Sequence, residues 1–142
     1  MAVSASGVQL KFVLPSDPRY LPVVRGAICA LAGVMGWEEP DCRAITLALD
    51  EALANIIRHA YHSRTDGTIE LECRETDNGL ELSLLDTGDA PDLTKICARE
   101  LDCDRPGGLG THIIRYVMDS VSYEPSPSGN RFVATKRLRK DV

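Results

Sequence analysis

Glu51 and Asn55 are the side chains of this sequence whose types and spacing best suit chemistry. They stand four residues apart, so on a helix they share one face with Arg58 and His59. An asparagine offers a hard oxygen ligand for Mg²⁺, and a glutamate offers a base that orients or deprotonates an attacking water or hydroxyl. Apolar residues at helical spacing predict the buried stripe of this helix: Ile45, Leu49, Ala52, Ile56 and Ala60.

Two motifs downstream change how this helix is interpreted. Asp86 has the same parity as the leucines of a predicted strand, so its carboxylate is expected to point between sheet and helices, where it needs a partner. Gly107, Gly108 and Gly110 open a predicted helix, and uncovered amides at a helix start bind phosphate. Singly, the three motifs are most simply a solvated helix face, a common turn and a flexible helix start. Their order along one chain favours a site.

Together, the three motifs resemble those of the GHKL ATPase superfamily, which includes gyrase-type and histidine-kinase ATP-binding domains. Within it, the short anti-sigma-factor serine kinases are the best match, and the resemblance extends from Leu10 to Leu138. The family's Glu-x-x-x-Asn, Asp-x-Gly and Gly-x-Gly motifs fall on Glu51 and Asn55, on Asp86 and Gly88, and on Gly108 and Gly110.

The resemblance implies a role for each matched residue. Asn55 would ligate Mg²⁺, and Glu51 would act as the general base toward a serine hydroxyl or a water. Asp86 would accept a hydrogen bond from the adenine amino group, which is the partner that its inward position requires. Gly88 would let the backbone approach the base.

The phosphates would be held where a predicted ATP lid, residues 89–107, leads into the third helix. The resemblance assigns these contacts to Gly107, Gly108, Leu109, Gly110 and Thr111. Arg105 would act on the γ-phosphate, although a solvated lid residue is an equal reading. Arg58 and His59 would add phosphate contacts or, equally, pack against Tyr61.

The function that the resemblance implies is an ATP-dependent serine/threonine protein kinase with regulatory partners. Such a protein sequesters a sigma factor and phosphorylates an anti-anti-sigma antagonist, whose new charge changes which partner is favoured. Arg25 corresponds to the partner-binding arginine on the first helix of these proteins. Their oligomeric state is commonly a homodimer, which is one option here.

Three alternatives remain open at this stage. The first is a nucleotide-binding interaction module of the same fold without kinase activity, which the unusual lid and Ala90 favour and the presence of Glu51 disfavours. The second is a histidine-kinase ATP domain that acts with dimerisation helices supplied by another chain. The third is a sandwich that binds no nucleotide, which would leave the inward Asp86 unpaired.

The predicted elements follow the order β-α-α-β-β-lid-α-β-β. One domain is predicted over residues 1–142, and its first seven residues are expected to be disordered. This order predicts an α/β (α+β) two-layer sandwich with a mixed, mostly antiparallel sheet and helices on one face, and the resemblance implies the Bergerat ATP-binding fold. Strands are predicted over 9–14, 68–74, 80–85, 121–123 and 131–138, and helices over 18–35, 39–61 and 109–118. Asn78 and Gly79 are predicted to occupy a hairpin turn with positive φ.

Bulk properties exclude several classes of protein. The net charge of −5 argues against a general nucleic-acid binder, and the basic residues 136–140 are interpreted as a solvated strand end and tail. The five cysteines include no C-x-x-C pair, which predicts neither a disulfide framework nor a zinc site. Free thiols, no signal peptide and no membrane-length apolar run predict a cytoplasmic protein without a membrane partner.

Overall fold

The computed structural model describes residues 8–90 and 109–137. Its strands are β1 (Val8–Pro15), β2 (Thr68–Thr76), β3 (Gly79–Asp86), β4 (Ser120–Ser126) and β5 (Gly129–Arg137). Its α-helices are α1 (Leu21–Val34), α2 (Glu39–Asn55) and α3 (Leu109–Val117). A 3₁₀ turn, Pro18–Tyr20, precedes α1, and a π-helical turn, Ile56–Ala60, extends α2. The predicted order of elements is confirmed, whereas the predictions for residues 1–7 and 91–108 lie outside the described residues.

The described strands form one sheet in the order β1-β2-β3-β5-β4, and every pair is antiparallel. The sheet is therefore antiparallel throughout, where a mixed sheet was predicted. On the helical layer α2 packs between α1 and α3. Because β5 lies between β3 and β4, Ile69, Asp86 and Asn130 stand side by side at one end of the central strands.

The core lies between the sheet and the helices, as the alternation along β2 and β3 predicts. Ile69, Leu71 and Cys73 are fully buried, and so are the leucines on the same face of β3. Burial raises the pKa of Cys73 to about 12, so this thiol behaves as a small apolar side chain. Ser83 lies on the opposite face of β3 from these leucines, yet it is buried, and Arg131 donates to its hydroxyl over 2.5 Å.

The sequence predicted a regular helix from residue 39 to residue 61. The structure differs, because the α-helix that carries Glu51 and Asn55 ends at Asn55. The turn that follows is π-helical, and the Tyr61 amide donates to the Ile56 carbonyl over 3.1 Å. A π turn inserts one residue and rotates everything beyond it around the axis. Ile57, four residues after the buried Leu53, is fully buried, while Ile56, the residue predicted for the stripe, is only partly buried.

The β2–β3 hairpin also differs from its prediction. Asp77 and Asn78 form the two-residue loop, since Thr76 pairs with Gly79 in the ladder. Positive φ at Asn78 and Gly79 was wrong, because neither residue adopts it. The Gly79 amide instead donates to the Thr76 hydroxyl over 3.1 Å, which closes the turn with an ordinary backbone.

Specific residues fix the ends of α1 and α3. Gly36 has a φ of +94° and ends α1, where the Trp37 amide donates to the Ala32 carbonyl over 3.0 Å. Asp17 caps the turn before α1 by accepting from the Arg19 amide. Lys136, predicted to be solvated, is half-buried and donates to the Val117 carbonyl at the end of α3 over 2.9 Å.

No helix within residues 8–90 and 109–137 has the length and apolar character needed to cross a membrane. The described cysteines, Cys29, Cys42 and Cys73, are free thiols.

Gly67→Ala should destabilise the fold by about 1–3 kcal/mol, the usual cost of overpacking a filled site. A Cβ at Gly67 would stand 2.5 Å from the ring of Tyr61, which is buried and hydrogen-bonded and so cannot yield cheaply. Urea denaturation measures the change. Gly26→Ala is the matched control, because a Cβ there meets nothing within 4 Å and should stabilise α1 by about 0.5–1 kcal/mol. Equal effects of the two substitutions would contradict the packing described for Tyr61.

Candidate functional site

Asp86 is the last residue of β3, and its carboxylate is buried between the sheet and the helices as its parity predicts. The Gly88 amide donates to Oδ1 over 3.0 Å, and the Asn130 side-chain amide donates to the same oxygen over 2.9 Å. Both hydrogen bonds that the described residues donate to this carboxylate thus end on Oδ1. That leaves Oδ2 to accept a hydrogen bond from a ligand.

Burial raises the pKa of Asp86, while the hydrogen bonds from Asn130 and Gly88 lower it in part. A carboxylate in such a place is costly for the fold unless it is paired. A buried carboxylate of this kind, at the end of a central strand, is a candidate binding group.

Asn130 is a site residue that the sequence did not reveal. Its side-chain nitrogen donates to Asp86 and also to the carbonyl oxygens of Gly88 and Asp89, over 3.0 and 3.2 Å. The sequence placed Asn130 only in a turn. Its role depends on β5 pairing with β3, and the sheet order that creates this pairing is not written in any local motif.

Two glycines allow the chain to approach this carboxylate closely. A Cβ at Gly129, whose φ is +140°, would stand 2.5 Å from the Asp86 carbonyl oxygen. A Cβ at Gly88 would collide with the carbonyl of Ala60 in the π turn. The glycine of the Asp-x-Gly motif is therefore required by contact with α2's extension, in addition to any approach to a base.

The candidate base, Glu51, and the candidate metal ligand, Asn55, lie at the end of α2. Glu51 and Asn55 are half-buried, and Arg58 is exposed and donates to Asn55 Oδ1 over 2.9 Å. The structure thus brings Asn55 and Arg58 together, and a guanidinium occupies one lone pair of the oxygen predicted to ligate Mg²⁺. A half-exposed carboxamide oxygen fits Mg²⁺ chemically, and the exposed Arg58 has room to leave it. Within the described ranges, no group of three or more His, Cys, Asp or Glu side chains could hold a metal.

The remaining predicted phosphate ligands are only partly visible. α3 begins at Leu109, so Leu109, Gly110 and Thr111 form its first turn, where backbone amides are available to an anion. Arg105, Gly107 and Gly108 lie outside the described residues. His59 is exposed at the π turn.

Asp89, the first residue of the predicted lid, is attached to the protein at three atoms. Its amide donates to the Ala60 carbonyl over 2.9 Å, and its carbonyl accepts from Asn130. Its carboxylate lies 2.5 Å from His62 Nε2, and this hydrogen bond lowers the pKa of Asp89. The segment beyond Asp89 therefore starts from a fixed point beside Asp86.

Arg25, the predicted partner-binding residue, lies on α1 with its side chain 46% exposed. One guanidinium nitrogen, Nη1, approaches the two carboxylate oxygens of Asp50 at 3.3 and 3.4 Å. Both contacts are long and use a single nitrogen, which is weaker than a bidentate pair. Asp50 directly precedes Glu51, so this surface adjoins the helix of the candidate base.

Asp86→Asn should leave the protein at least as stable as the wild type at neutral pH, although it removes a candidate binding group. The raised pKa of Asp86 means that its charged form costs folding free energy, and that the wild type regains this as pH falls through that pKa. Urea denaturation from neutral pH to about pH 4 should show the variant's relative stability declining. A variant that loses stability at neutral pH and recovers in acid would contradict this sign.

The family model described as histidine kinase-like ATPase domain matches residues 14–136 of the chain. The serine-protein kinase RsbW of Bacillus velezensis is 27% identical over 97% of this chain and 89% of that protein. The serine/threonine-protein kinase BtrW of Bordetella bronchiseptica is 36% identical over 64% of this chain and 67% of that protein.

Two solved structures share the fold. The RsbU and RsbW domains of a Mycobacterium tuberculosis protein match 93% of this chain and 33% of that longer chain, with a TM-score of 0.64 and 16% identity. The histidine kinase domain of a blue-light activated histidine kinase from Erythrobacter litoralis matches 94% and 64%, with a TM-score of 0.54 and 21% identity. The predicted fold is confirmed, and the predicted enzyme class is that of the curated relatives. The chain belongs to the histidine kinase-like ATPase family.

Proposed function

We propose that this chain is an ATP-binding serine/threonine protein kinase that sequesters a sigma factor and phosphorylates an anti-anti-sigma antagonist. The observation that carries the proposal is the buried Asp86 carboxylate, oriented through Oδ1 and open to a ligand at Oδ2. The serine-protein kinases among its relatives, one of them aligned over 97% of the chain, support the kinase class.

The base-recognition step follows from the acceptor character of Asp86. An ionised carboxylate only accepts hydrogen bonds, so Oδ2 pairs with the amino group of adenine and repels the carbonyl oxygen that guanine carries at the same position. Asn130 and Gly88 keep Oδ1 occupied, which prevents the carboxylate from rotating away. The site therefore selects ATP over GTP.

The phosphate end of the nucleotide lies toward α2 and the start of α3. Asn55 would hold Mg²⁺, which when bound screens the phosphate charges. Arg58 is exposed and donates to Asn55 Oδ1, so its guanidinium would lie close enough to contact a phosphate held beside Asn55. The first turn of α3, together with Gly107, Gly108 and Arg105, holds the remaining phosphate oxygens.

Glu51 performs the proton transfer of the reaction. It accepts the proton of the antagonist's serine hydroxyl as that oxygen attacks the γ-phosphorus, the bond from the γ-phosphorus to the bridging oxygen breaks, and ADP leaves with that oxygen. Its position on α2, one turn before Asn55, places base and metal ligand on one helix.

A nucleotide-binding interaction module without kinase activity is the second candidate. The hydrogen bond from Arg58 to Asn55 favours it, because a guanidinium stands on the oxygen that a catalytic metal needs. In this case ATP orders the partner surface and no phosphate is transferred.

Titration calorimetry with ATP and Mg²⁺ tests the nucleotide site. The wild type should bind saturably, Asp86→Asn should lose binding because an amide no longer offers the same acceptor, and Asn55→Ala should lose the Mg²⁺ dependence. Glu51→Gln is the matched control, since it should bind ATP as the wild type does. No binding at millimolar ATP would defeat both candidate functions.

Transfer of labelled γ-phosphate to purified antagonist candidates of the host then separates the two candidates. Label transfer by the wild type and its absence with Glu51→Gln support the kinase. Binding of ATP without transfer to any antagonist supports the interaction module.

Arg25→Ala should lower the affinity for the sigma factor or the antagonist at least tenfold, roughly the value of one charged interface contact, and leave ATP affinity unchanged. The contacts of Arg25 with Asp50 are long and use one guanidinium nitrogen, so its other N–H groups can donate to a partner's carboxylate. Arg43→Ala is the control, because Arg43 is an exposed arginine of α2 paired with Glu39. Affinity measured against each purified sigma factor of the host decides the case, and equal loss of partner and ATP binding would sink the assignment.

A further inference from the structure

Tyr61 lies at the junction of the helix that carries Glu51 and Asn55, the start of β2 and the end of β3. It is the first residue after the π turn, and its side chain is almost fully buried. Its ring lies against Gly67, where a Cβ would stand 2.5 Å from the ring carbons. This close packing against Gly67 restricts the orientation of the ring independently of its hydrogen bonds.

The hydroxyl of Tyr61 bridges two different strands. It donates to the Thr68 carbonyl over 2.5 Å and accepts from the Thr87 amide over 2.9 Å. The ladder of β3 ends at Asp86, so the Thr87 amide is the first one beyond the sheet. A side chain from α2's extension therefore satisfies a backbone donor that the sheet leaves over.

Thr87 is the residue between the two groups that matter for base recognition. On one side is Asp86, and on the other is Gly88, whose amide holds Asp86 Oδ1. A displacement of the Thr87 amide would move the Gly88 amide away from that oxygen. The carboxylate would then keep only the Asn130 hydrogen bond on Oδ1, and the orientation in which Oδ2 meets the base would be less tightly fixed.

We propose that Tyr61 is a positioning residue for base recognition. Its hydroxyl holds the Thr87 amide, and through Thr87 and Gly88 it fixes the orientation of the Asp86 carboxylate. The inference rests on the proposed ATP site at Asp86. It adds that the helix holding the metal-side residues also holds the adenine-side residue in place, through one phenolic oxygen. Tyr61 itself does not touch the nucleotide.

Tyr61→Phe keeps the ring on Gly67 and removes only the bridging oxygen, so the fold is retained. The test compares ATP with purine riboside triphosphate, which is ATP without the amino group that Asp86 reads. The variant should bind ATP about 3- to 10-fold more weakly, as expected for one lost hydrogen bond, and bind the analogue within about 2-fold of the wild type. The ratio of the two affinities should therefore fall.

Tyr116→Phe is the matched control, because Tyr116 is 89% exposed on α3. Its substitution should change neither affinity. Amide hydrogen exchange gives a second, local readout: in Tyr61→Phe, exchange should accelerate at Thr87 and not at Leu84 in the middle of β3. Urea denaturation of the variant reports any general loss of stability.

The outcomes separate the inference from the function beneath it. A wild type that prefers ATP, with the same preference retained in Tyr61→Phe, would overturn the inference alone. Equal weakening of both nucleotides would also overturn it, since it would make Tyr61 a purely structural residue. A wild type that binds neither nucleotide, or does not distinguish them, would overturn the ATP site and the inference together.

Discussion

The pairing of β3 with β5 is the constraint on which the candidate site depends. It brings Asn130 beside Asp86, and it ends the ladder at the point where the chain must turn toward α2. A buried carboxylate is costly, and here the cost is reduced by two donors that both approach one oxygen. The remaining oxygen gains a fixed direction as a result. The orientation of Asp86 is thus set by Asn130 on the neighbouring strand and by the amide of Gly88, two residues beyond the end of β3.

The two halves of the site are joined through the π turn at the end of α2. The carbonyl of Ala60 in that turn accepts from the Asp89 amide, and the same carbonyl leaves no room for a side chain at Gly88. Tyr61 adds its hydroxyl to the next amide along. The helix that offers Glu51 and Asn55 is therefore in direct contact with every residue from Thr87 to Asp89. The candidate metal ligand Asn55 and the candidate base-binding residue Asp86 are therefore connected through directly contacting residues.

The elements and the inward direction of Asp86 were predictable, because apolar periodicity and strand parity are local properties of a sequence. The π turn was not, since Ile56 and Ile57 are equally apolar and only packing decides which of them is buried. Asn130 was not predictable because its role depends on a strand pairing between distant segments. The β2–β3 turn was wrong for a third reason: the hydroxyl of Thr76 closes it without positive φ. Local rules thus located the motifs, and long-range register supplied their supports.

The place of β5 in the sheet has a consequence for how the molecule comes into being. Among the described strands β5 comes last in the sequence, yet it lies beside β3, between that strand and β4. Until residues 129–137 have been synthesised, β3 keeps one open edge, which is a template for pairing with other chains. Until then, Asp86 also lacks the hydrogen bond that Asn130 donates to it. A nascent chain can form the β1-β2-β3 meander early, but the hydrogen bond from Asn130 that orients Asp86 can form only after residues 129–137 have been added.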